Sequence, residues 1–287
     1  MFDTSLARAV ELFALVTQNA SESDLERAWV WGAYEEGVRF SFFRTYEELR
    51  ELAVRIAAER KALGTPLSSA QHTLAQYHQA FRELEAALIG LTEQDVTRTP
   101  PEDEWSILDA YRHIARSDSG FYILTRFALN HYRDTDGPAV ELPDDVRELV
   151  TGVSEAAFEK IMERPYPELH GYHRTLHESA LQEFSGITGE ELEAPSLYWE
   201  GYPLPIRFRL HRFDSHLRQH TIQIDKTRLA IGKAPSEAQR LLRIIYQVLG
   251  EAEGQAIGAM QVGEEASRET AQAIMERCGE IDAILKG

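Results

Sequence analysis

Cysteine is almost absent from this sequence: the only one among its 287 residues is Cys278, close to the C-terminus. The chain therefore excludes an internal disulfide, a cysteine-based zinc site and a CxxC redox pair. Long apolar runs are also lacking, since no stretch approaches the roughly 18 residues of a membrane span. The opening residues, MFDTSLARAV, place an acid at Asp3 and contain no continuous apolar segment typical of a secretory signal. We expect a cytoplasmic protein with no membrane partner.

Positive charge is scarce as well. The chain has 30 lysines and arginines against 47 acidic residues, which gives a formal net charge of -17. A surface of this sign repels phosphate backbones and anionic lipids, so nucleic acid is not an expected partner. Hydrophobic residues make up 43% of the chain, enough for a large buried core. These properties predict a soluble globular protein.

Runs of β-branched residues are few, and helix signals are frequent. Capping-box patterns occur at Thr45–Glu48, Thr188–Glu191 and Ser236–Gln239, and glycine and proline pairs divide the chain into pieces of helical length. The pattern predicts an all-α fold, a helical bundle. The predicted helices lie near residues 4–18, 22–36, 44–63, 68–90, 106–133, 143–163, 168–186, 205–231, 236–260 and 263–285.

Two segments depart from ordinary amphipathic helix. Residues 195–210, PSLYWEGYPLPIRFRL, are rich in aromatics and proline and predict a loop or a short extended piece that either lines a site or packs over a helix end. Gly250, Gly254 and Gly258 recur every four residues, which favours either close approach of another backbone or a frayed helix.

Two histidine groups have helical spacing. Four positions advance a helix by about 6 Å and 400 degrees, so His216 and His220 of HLRQH lie on one face of the helix. They are either a metal-binding pair or two ordinary polar residues. In the other group, His170, His173 and His177 could also share a face, but its outer members stand about 10 Å apart along the axis. We predict that this second group is a solvated helix face.

A further histidine lies about two turns into the predicted helix that Ser106 can cap, after Trp105. A lone His113 in such a position is usually a core residue. It could instead join His216 and His220 at one ion, as three neutral imidazoles that leave a fourth position for water or substrate.

The order WSILDAYRH followed about a hundred residues later by HLRQHTIQIDKTRLAIG resembles the DinB-like superfamily, over residues 67–232. The resemblance implies a four-helix bundle with a divalent ion, zinc or nickel, held near one end by three histidines, which at the matching positions are His113, His216 and His220. One departure is Ser117, where many members have an acid; Asp118 follows one place later.

The resemblance leaves residues 1–66 and 233–287 without a counterpart, so we predict an N-terminal and a C-terminal helical extension around the bundle of residues 67–232. These extensions either cover the flank of the bundle or build a homodimer.

Members of this superfamily with known activity transfer low-molecular-weight thiols to electrophiles, or isomerise substrates with them. The resemblance therefore implies a thiol S-transferase that acts on a small-molecule substrate through a metal-activated thiolate. Such thiols carry carboxylates or sugars, and Arg207, Arg209 and Arg212 are the candidates to bind this thiol cofactor, unless they are ordinary surface charges.

Two other functions remain open from the sequence. A hydrolase would use metal-bound hydroxide, with Asp214 or Glu178 moving protons. A non-catalytic, stress-related bundle would use the ion to brace its helices, with the glycine segment as an assembly surface. Asp109 and Gln223 are candidates to orient imidazoles through the second ring nitrogen.

Overall fold

The computed structural model describes residues 4–101 and 104–287. Helices make up 70% of it, which confirms the prediction of an all-α fold. The helices are α1 (Thr4–Thr17), α2 (Glu22–Leu25), α3 (Val38–Ala62), α4 (Ser69–Ala87), α5 (Glu93–Thr97), α6 (Ile107–Thr135), α7 (Val146–Thr151), α8 (Glu155–Met162), α9 (Tyr166–Phe184), α10 (Ile206–Ala230), α11 (Glu237–Gly254) and α12 (Glu264–Lys286). Within the described residues, no helix combines the length and apolarity that crossing a bilayer requires.

A helical bundle is built from α4, α6, α9 and α10, which pack around one apolar core. Each helix contributes side chains at helical spacing to this core, so that one face of each helix is removed from water. Tyr77, Ile114, Phe184 and Phe213 are fully buried there. Burying an aromatic or aliphatic side chain of this size stabilises a fold by about 1.5–3 kcal/mol, so this core fixes the positions of the four helices.

The two terminal segments share a second core. Helix α1 packs on α12, and α11 packs on α3, with Phe13, Phe42, Leu249 and Ile274 buried between them. Helix α11 also lies against α4, which joins this second core to the bundle. The terminal segments therefore cover the flank of the bundle together, and the domain boundaries at residues 66 and 232 stay a prediction.

The glycines of α11 face the bundle inside the same chain. A Cβ atom at Gly250 would lie 2.8 Å from the Cα of Gln79, and one at Gly254 would lie 3.0 Å from the Cβ of Ala75. The prediction that these glycines allow close backbone approach is confirmed for both. Gly258 lies beyond the helix with φ +76°. Because this face is covered by α4, the glycines lend no support to a homodimer.

The predicted helix over residues 22–36 is wrong. Helix α2 ends at Leu25, and an antiparallel hairpin follows, with β1 (Ala28–Trp31) paired to β2 (Tyr34–Gly37). The strand alternates: Trp29 is 3% exposed and its indole donates a hydrogen bond to Glu280, whereas Val30 is 60% exposed. Gly32 turns the chain with φ +59°. Branched and aromatic residues fit such a half-buried strand better than a helix.

Other helix boundaries also differ from prediction, and the helix predicted over residues 236–260 ends at Gly254. The helix predicted over residues 143–163 is divided, because Gly152 ends α7 in the left-handed region at φ +71° and Ser154 caps α8. Thr45 does not cap a helix; it lies inside α3, where its hydroxyl donates to the Ser41 carbonyl and accepts from Arg277. A capping-box pattern inside a longer apolar repeat does not mark a helix start.

The other two capping patterns form the predicted hydrogen bonds. Ser236 and Gln239 cap each other at the start of α11, and Thr188 and Glu191 do so at the 3-10 turn Glu191–Glu193. The aromatic segment that follows is a short extended piece, as predicted: β3 (Pro195–Ser196) pairs antiparallel with β4 (Leu204–Pro205). This hairpin leads directly into α10.

Candidate metal centre

Two helices position the three histidines predicted as ligands. His113 lies on α6, which starts at Ser106 with a complete capping box to Asp109, and His216 and His220 lie on α10. Further along, Phe121 of α6 packs against Phe213 of α10, with ring centroids 5.6 Å apart. The chain order of these contacts shows that α6 and α10 run antiparallel, so each carries its histidines to the same point of the bundle.

The structure brings His113, His216 and His220 together. The Nε2 atoms of His113 and His216 are 3.1 Å apart, and one ring nitrogen of each histidine lies within 4.8 Å of the others. His216 is 6% exposed and His220 is 7% exposed, whereas His113 is partly exposed. This triad is the one cluster of histidine, cysteine or acidic side chains within residues 4–101 and 104–287 whose spacing suits a metal ion.

The surroundings favour neutral imidazoles. Burial, followed by the neighbouring His220 and His113, lowers the pKa of His216 to about 3. Burial and His220 also lower the pKa of His113. Three imidazoles this close cannot all carry a proton without strong repulsion in a partly desolvated site. Neutral rings keep the nitrogen lone pairs that a metal ligand requires.

Gln223 orients one of the rings. Its amide oxygen lies 2.7 Å from Nδ1 of His220. Because an amide oxygen only accepts hydrogen bonds, Nδ1 carries the proton and Nε2 keeps its lone pair. Asp109, the other candidate for this role, instead binds Ser106 at the start of α6. The Nδ1 atom of His216 is buried and has no partner in the described residues.

Aromatic side chains border the triad. The ring of Trp105 lies 5.1 Å from that of His113 and stacks on that of His220 at 6.5 Å. The ring of Phe121 lies 5.5 Å from that of His216. Trp105 remains 45% exposed, so this side of the site is open to solvent. The aromatic loop between β3 and β4 lies beside α6, since the Tyr198 hydroxyl is 3.7 Å from a Cβ atom built at Gly120.

The three arginines predicted to bind a thiol cofactor have different surroundings. Arg207 forms an exposed ion pair with Glu193. Arg209 is 2% exposed, and its guanidinium donates to Glu200 and Ser196.

Arg212 alone of the three lies at the triad. Its guanidinium lies over the ring of Phe121 at 5.7 Å and contributes to the low pKa of His216. It forms no ion pair within the described residues, and its one hydrogen bond goes to Ser215 at 3.4 Å. The Glu200 carboxylate is near enough that Arg212, after Arg209, helps to lower its pKa. Arg212 is therefore the member of the predicted set that is available to an anionic ligand.

The prediction that His170, His173 and His177 form a solvated face is wrong. His173 is fully buried and His177 is 2% exposed; His170 is partly exposed and pairs with Glu85 at 3.3 Å. The reason is the face they occupy: they alternate with Leu169, Leu176 and Ala180 along the buried side of α9. That apolar repeat is the sequence signal that distinguishes this face from a wet one.

The buried histidines belong to polar networks between helices. Asp118 accepts hydrogen bonds from the Tyr77 hydroxyl at 2.9 Å and from His173 at 3.0 Å, which ties α6 to α4 and α9. His177 lies 2.9 Å from His78, which in turn contacts Glu253 at 2.8 Å. Asp118 is 0% exposed and faces the bundle interior. It does not contact the histidine triad.

Of the two acids predicted for hydrolysis, one is bound by an arginine and the other lines a separate cavity. Asp214 lies on α10, where Arg218 binds its carboxylate at 2.7 Å. Glu178 lies on α9 and lines a small cavity with Leu181 and Ile257. Neither acid forms a polar contact with the triad among the described residues.

Comparison with known proteins gives one match. A family model described as the DinB superfamily matches residues 76–224, which is slightly more than half of the chain and includes all three histidines of the triad. No curated protein and no solved structure matches the chain.

Proposed function

Because this chain belongs to the DinB superfamily, we propose that His113, His216 and His220 hold one divalent transition-metal ion. The separation of the ring nitrogens supports this, since zinc–nitrogen bonds of about 2.0–2.1 Å in a tetrahedral site place two donors about 3.3 Å apart. The Nε2 atoms of His113 and His216 are 3.1 Å apart. Zinc and nickel both accept imidazole ligands, and a triad leaves an open position for a further ligand.

The proposed activity is the transfer of a low-molecular-weight thiol to an electrophile. A bound divalent ion would lower the pKa of a thiol that coordinates it, so that the thiolate is available at neutral pH. The thiol comes from outside the chain, because Cys278 is 2% exposed in the core of the terminal helices. Burial also raises the pKa of its thiol to about 11. Cys278 is therefore protonated and inaccessible at neutral pH.

The observation that carries this proposal is the free guanidinium of Arg212 beside the neutral triad. In a chain of net charge -17, a cation that forms no ion pair at this position favours an anionic ligand. A carboxylate on the thiol would accept hydrogen bonds from Arg212, and charge-assisted bonds of this kind contribute about 1.5–3 kcal/mol. Trp105 and Phe121 offer apolar surface on which an electrophile can pack.

The test is thiol-dependent turnover of monobromobimane by metal-loaded protein, with bacillithiol, which bears carboxylates, compared against mycothiol and 2-mercaptoethanol, which bear none. We expect turnover that chelation abolishes. Arg212→Gln should raise the KM for a carboxylate-bearing thiol about tenfold or more and leave the KM for 2-mercaptoethanol unchanged. Arg207→Gln, which removes an exposed guanidinium paired with Glu193, is the matched control and should behave as the native protein. Metal-loaded protein that turns over no thiol would contradict the transferase proposal.

The two alternatives give different results in the same assays. A metal-dependent hydrolase would cleave an activated ester without any thiol, but Asp214 is bound by Arg218 and Glu178 lies away from the triad, so support for it is weaker. A non-catalytic metal protein would show neither activity, while metal removal would still lower its melting temperature because the ion links α6 to α10.

A further inference from the structure

A second cavity lies between α6 and the helices α7, α8 and α9. Its volume is about 220 Å³, below the roughly 300–1,000 Å³ of pockets that hold drug-sized ligands, so it suits a smaller molecule. Tyr122, which lines it, comes nine positions after His113, and nine steps of about 100 degrees turn a helix through two and a half turns. The cavity therefore opens on the side of α6 away from the triad.

The floor of this cavity is apolar. Val153, Phe158 and Leu176 line it, with Phe158 1% exposed and Leu176 8% exposed. A hydrocarbon or aromatic group placed there would be removed from water, which favours binding. The floor therefore favours a ligand with an apolar body.

Two arginines line the same cavity. The guanidinium of Arg147 stacks on Phe158 at 3.5 Å, and its Nη1 donates to the Ser119 hydroxyl at 2.8 Å. Arg126 donates from Nη1 to the Val150 carbonyl at 3.0 Å. Their carboxylate partners, Glu155 and Glu183, bind the Nε atoms.

The Nη2 group of each arginine has no partner among residues 4–101 and 104–287. These two groups can therefore donate to a ligand without breaking an existing bond. A planar guanidinium matches a carboxylate in charge and in geometry.

The Ser119 hydroxyl points to the same ligand chemistry. It accepts a hydrogen bond from Arg147 at 2.8 Å and lies 3.4 Å from the Tyr172 hydroxyl, which is long for a hydrogen bond between two hydroxyls. Its proton is therefore donated either across this long contact or to a ligand in the cavity. Ser119 is 1% exposed, and a well-placed acceptor oxygen of a ligand would give this buried hydroxyl a shorter hydrogen bond.

We propose that this cavity binds a small monocarboxylate with an apolar body. The carboxylate accepts hydrogen bonds from Ser119, Arg147 and Arg126, and the body packs on Phe158 and Leu176. Tethering α7 to α6 accounts for the hydrogen bonds that the two arginines already make, but not for the unused Nη2 groups. The site is independent of the histidine triad.

Calorimetric titration of the full chain tests this proposal, with benzoate and hexanoate as probes and benzyl alcohol and 1-hexanol as uncharged counterparts. We expect saturable binding of one carboxylate per chain and at least tenfold weaker binding of the alcohols. Arg147→Gln and Ser119→Ala should each weaken benzoate binding about tenfold or more. Thr175→Trp, at an exposed position that lines the cavity, should block it without disturbing the fold.

Arg133→Gln is the matched control, because Arg133 lies on the same helix and pairs with Glu191 outside the cavity. It should bind benzoate as the native protein does. The proposal would be overturned if native protein showed no saturable binding, or if both Ser119→Ala and Thr175→Trp bound benzoate with native affinity. These two variants test the proposal even if Arg147→Gln fails to fold. Metal content should be the same in all variants, so failure here leaves the triad proposal intact.

Discussion

Removing the Glu253 carboxylate should cost the protein a large part of its stability. Glu253 is 4% exposed and binds Arg82, which is 5% exposed, through two hydrogen bonds of 2.8 Å each. It also contacts His78 at 2.8 Å. Breaking a buried pair on one side costs about 3–5 kcal/mol, because the other charge stays buried without its partner. Since Glu85 still binds Arg82 at 2.7 Å in the variant, we expect Glu253→Ala to cost about 3 kcal/mol.

Chemical denaturation with thermal unfolding measures this effect. A loss of about 3 kcal/mol corresponds to a melting temperature lower by about 6–12 °C in a chain of this size. The matched control is Glu251→Ala on the same helix: Glu251 is bound by Arg50, but these side chains are 34% and 50% exposed. Such a surface pair contributes about 0–1 kcal/mol. The double variant Arg82→Met, Glu253→Met should recover most of the loss, and a cost below about 1 kcal/mol for Glu253→Ala would refute the reasoning.

Three further predictions concern pH, packing and metal affinity. Burial and then His78 hold the pKa of His177 well below its usual value, so the unfolded chain binds this proton at a higher pH than the folded chain does. The free energy of unfolding should therefore fall by up to about 1.4 kcal/mol per pH unit as the pH drops below 6.5. Denaturation of His177→Leu at several pH values should show a shallower slope. Gly250→Ala should lower the free energy of unfolding by about 1–3 kcal/mol, because its Cβ would meet the Gln79 backbone. Gly279→Ala on α12 has open space around it and should raise the free energy of unfolding by up to about 1 kcal/mol. Equal effects of the two substitutions would contradict the close contact at Gly250. Gln223→Leu should weaken zinc affinity about 10–100-fold in a competition assay, and Gln219→Leu, exposed on the same helix, should leave it unchanged.

The features that could be predicted from the sequence depend on local residue spacing and on the order of motifs that resembles the family. The spacing of His216 and His220 fixes them on one face of α10, and the context of His113 identified the third member of the triad. The capping pattern at Ser236 and the extended piece before α10 were also readable from adjacent residues. In each case the relevant partners lie within one element or within a pattern that recurs across a family.

Features that depend on distant partners could not be read in this way. The partners of the buried His173 and His177 are Asp118 and His78, which come from α6 and α4. The hairpin at Trp29 is stabilised by Glu280, 251 positions away.

The three arginines show the same limit. They look alike as neighbours in the sequence, and only the packed structure shows that Glu200 forms an ion pair with Arg209 and none with Arg212. Tertiary contacts, rather than local preference, decide which of them can serve a ligand.

Metal analysis of untagged protein tests the central claim most directly. Native protein and a His216→Ala, His220→Ala variant would be purified together with His211→Ala, which removes an exposed histidine from the same helix. We predict about one zinc or nickel ion per chain in the native protein and in His211→Ala, and none in the double variant. Native protein that is free of metal and fails to take up added zinc or nickel, or a double variant that keeps its ion, would contradict the assignment of His113, His216 and His220 as a metal centre.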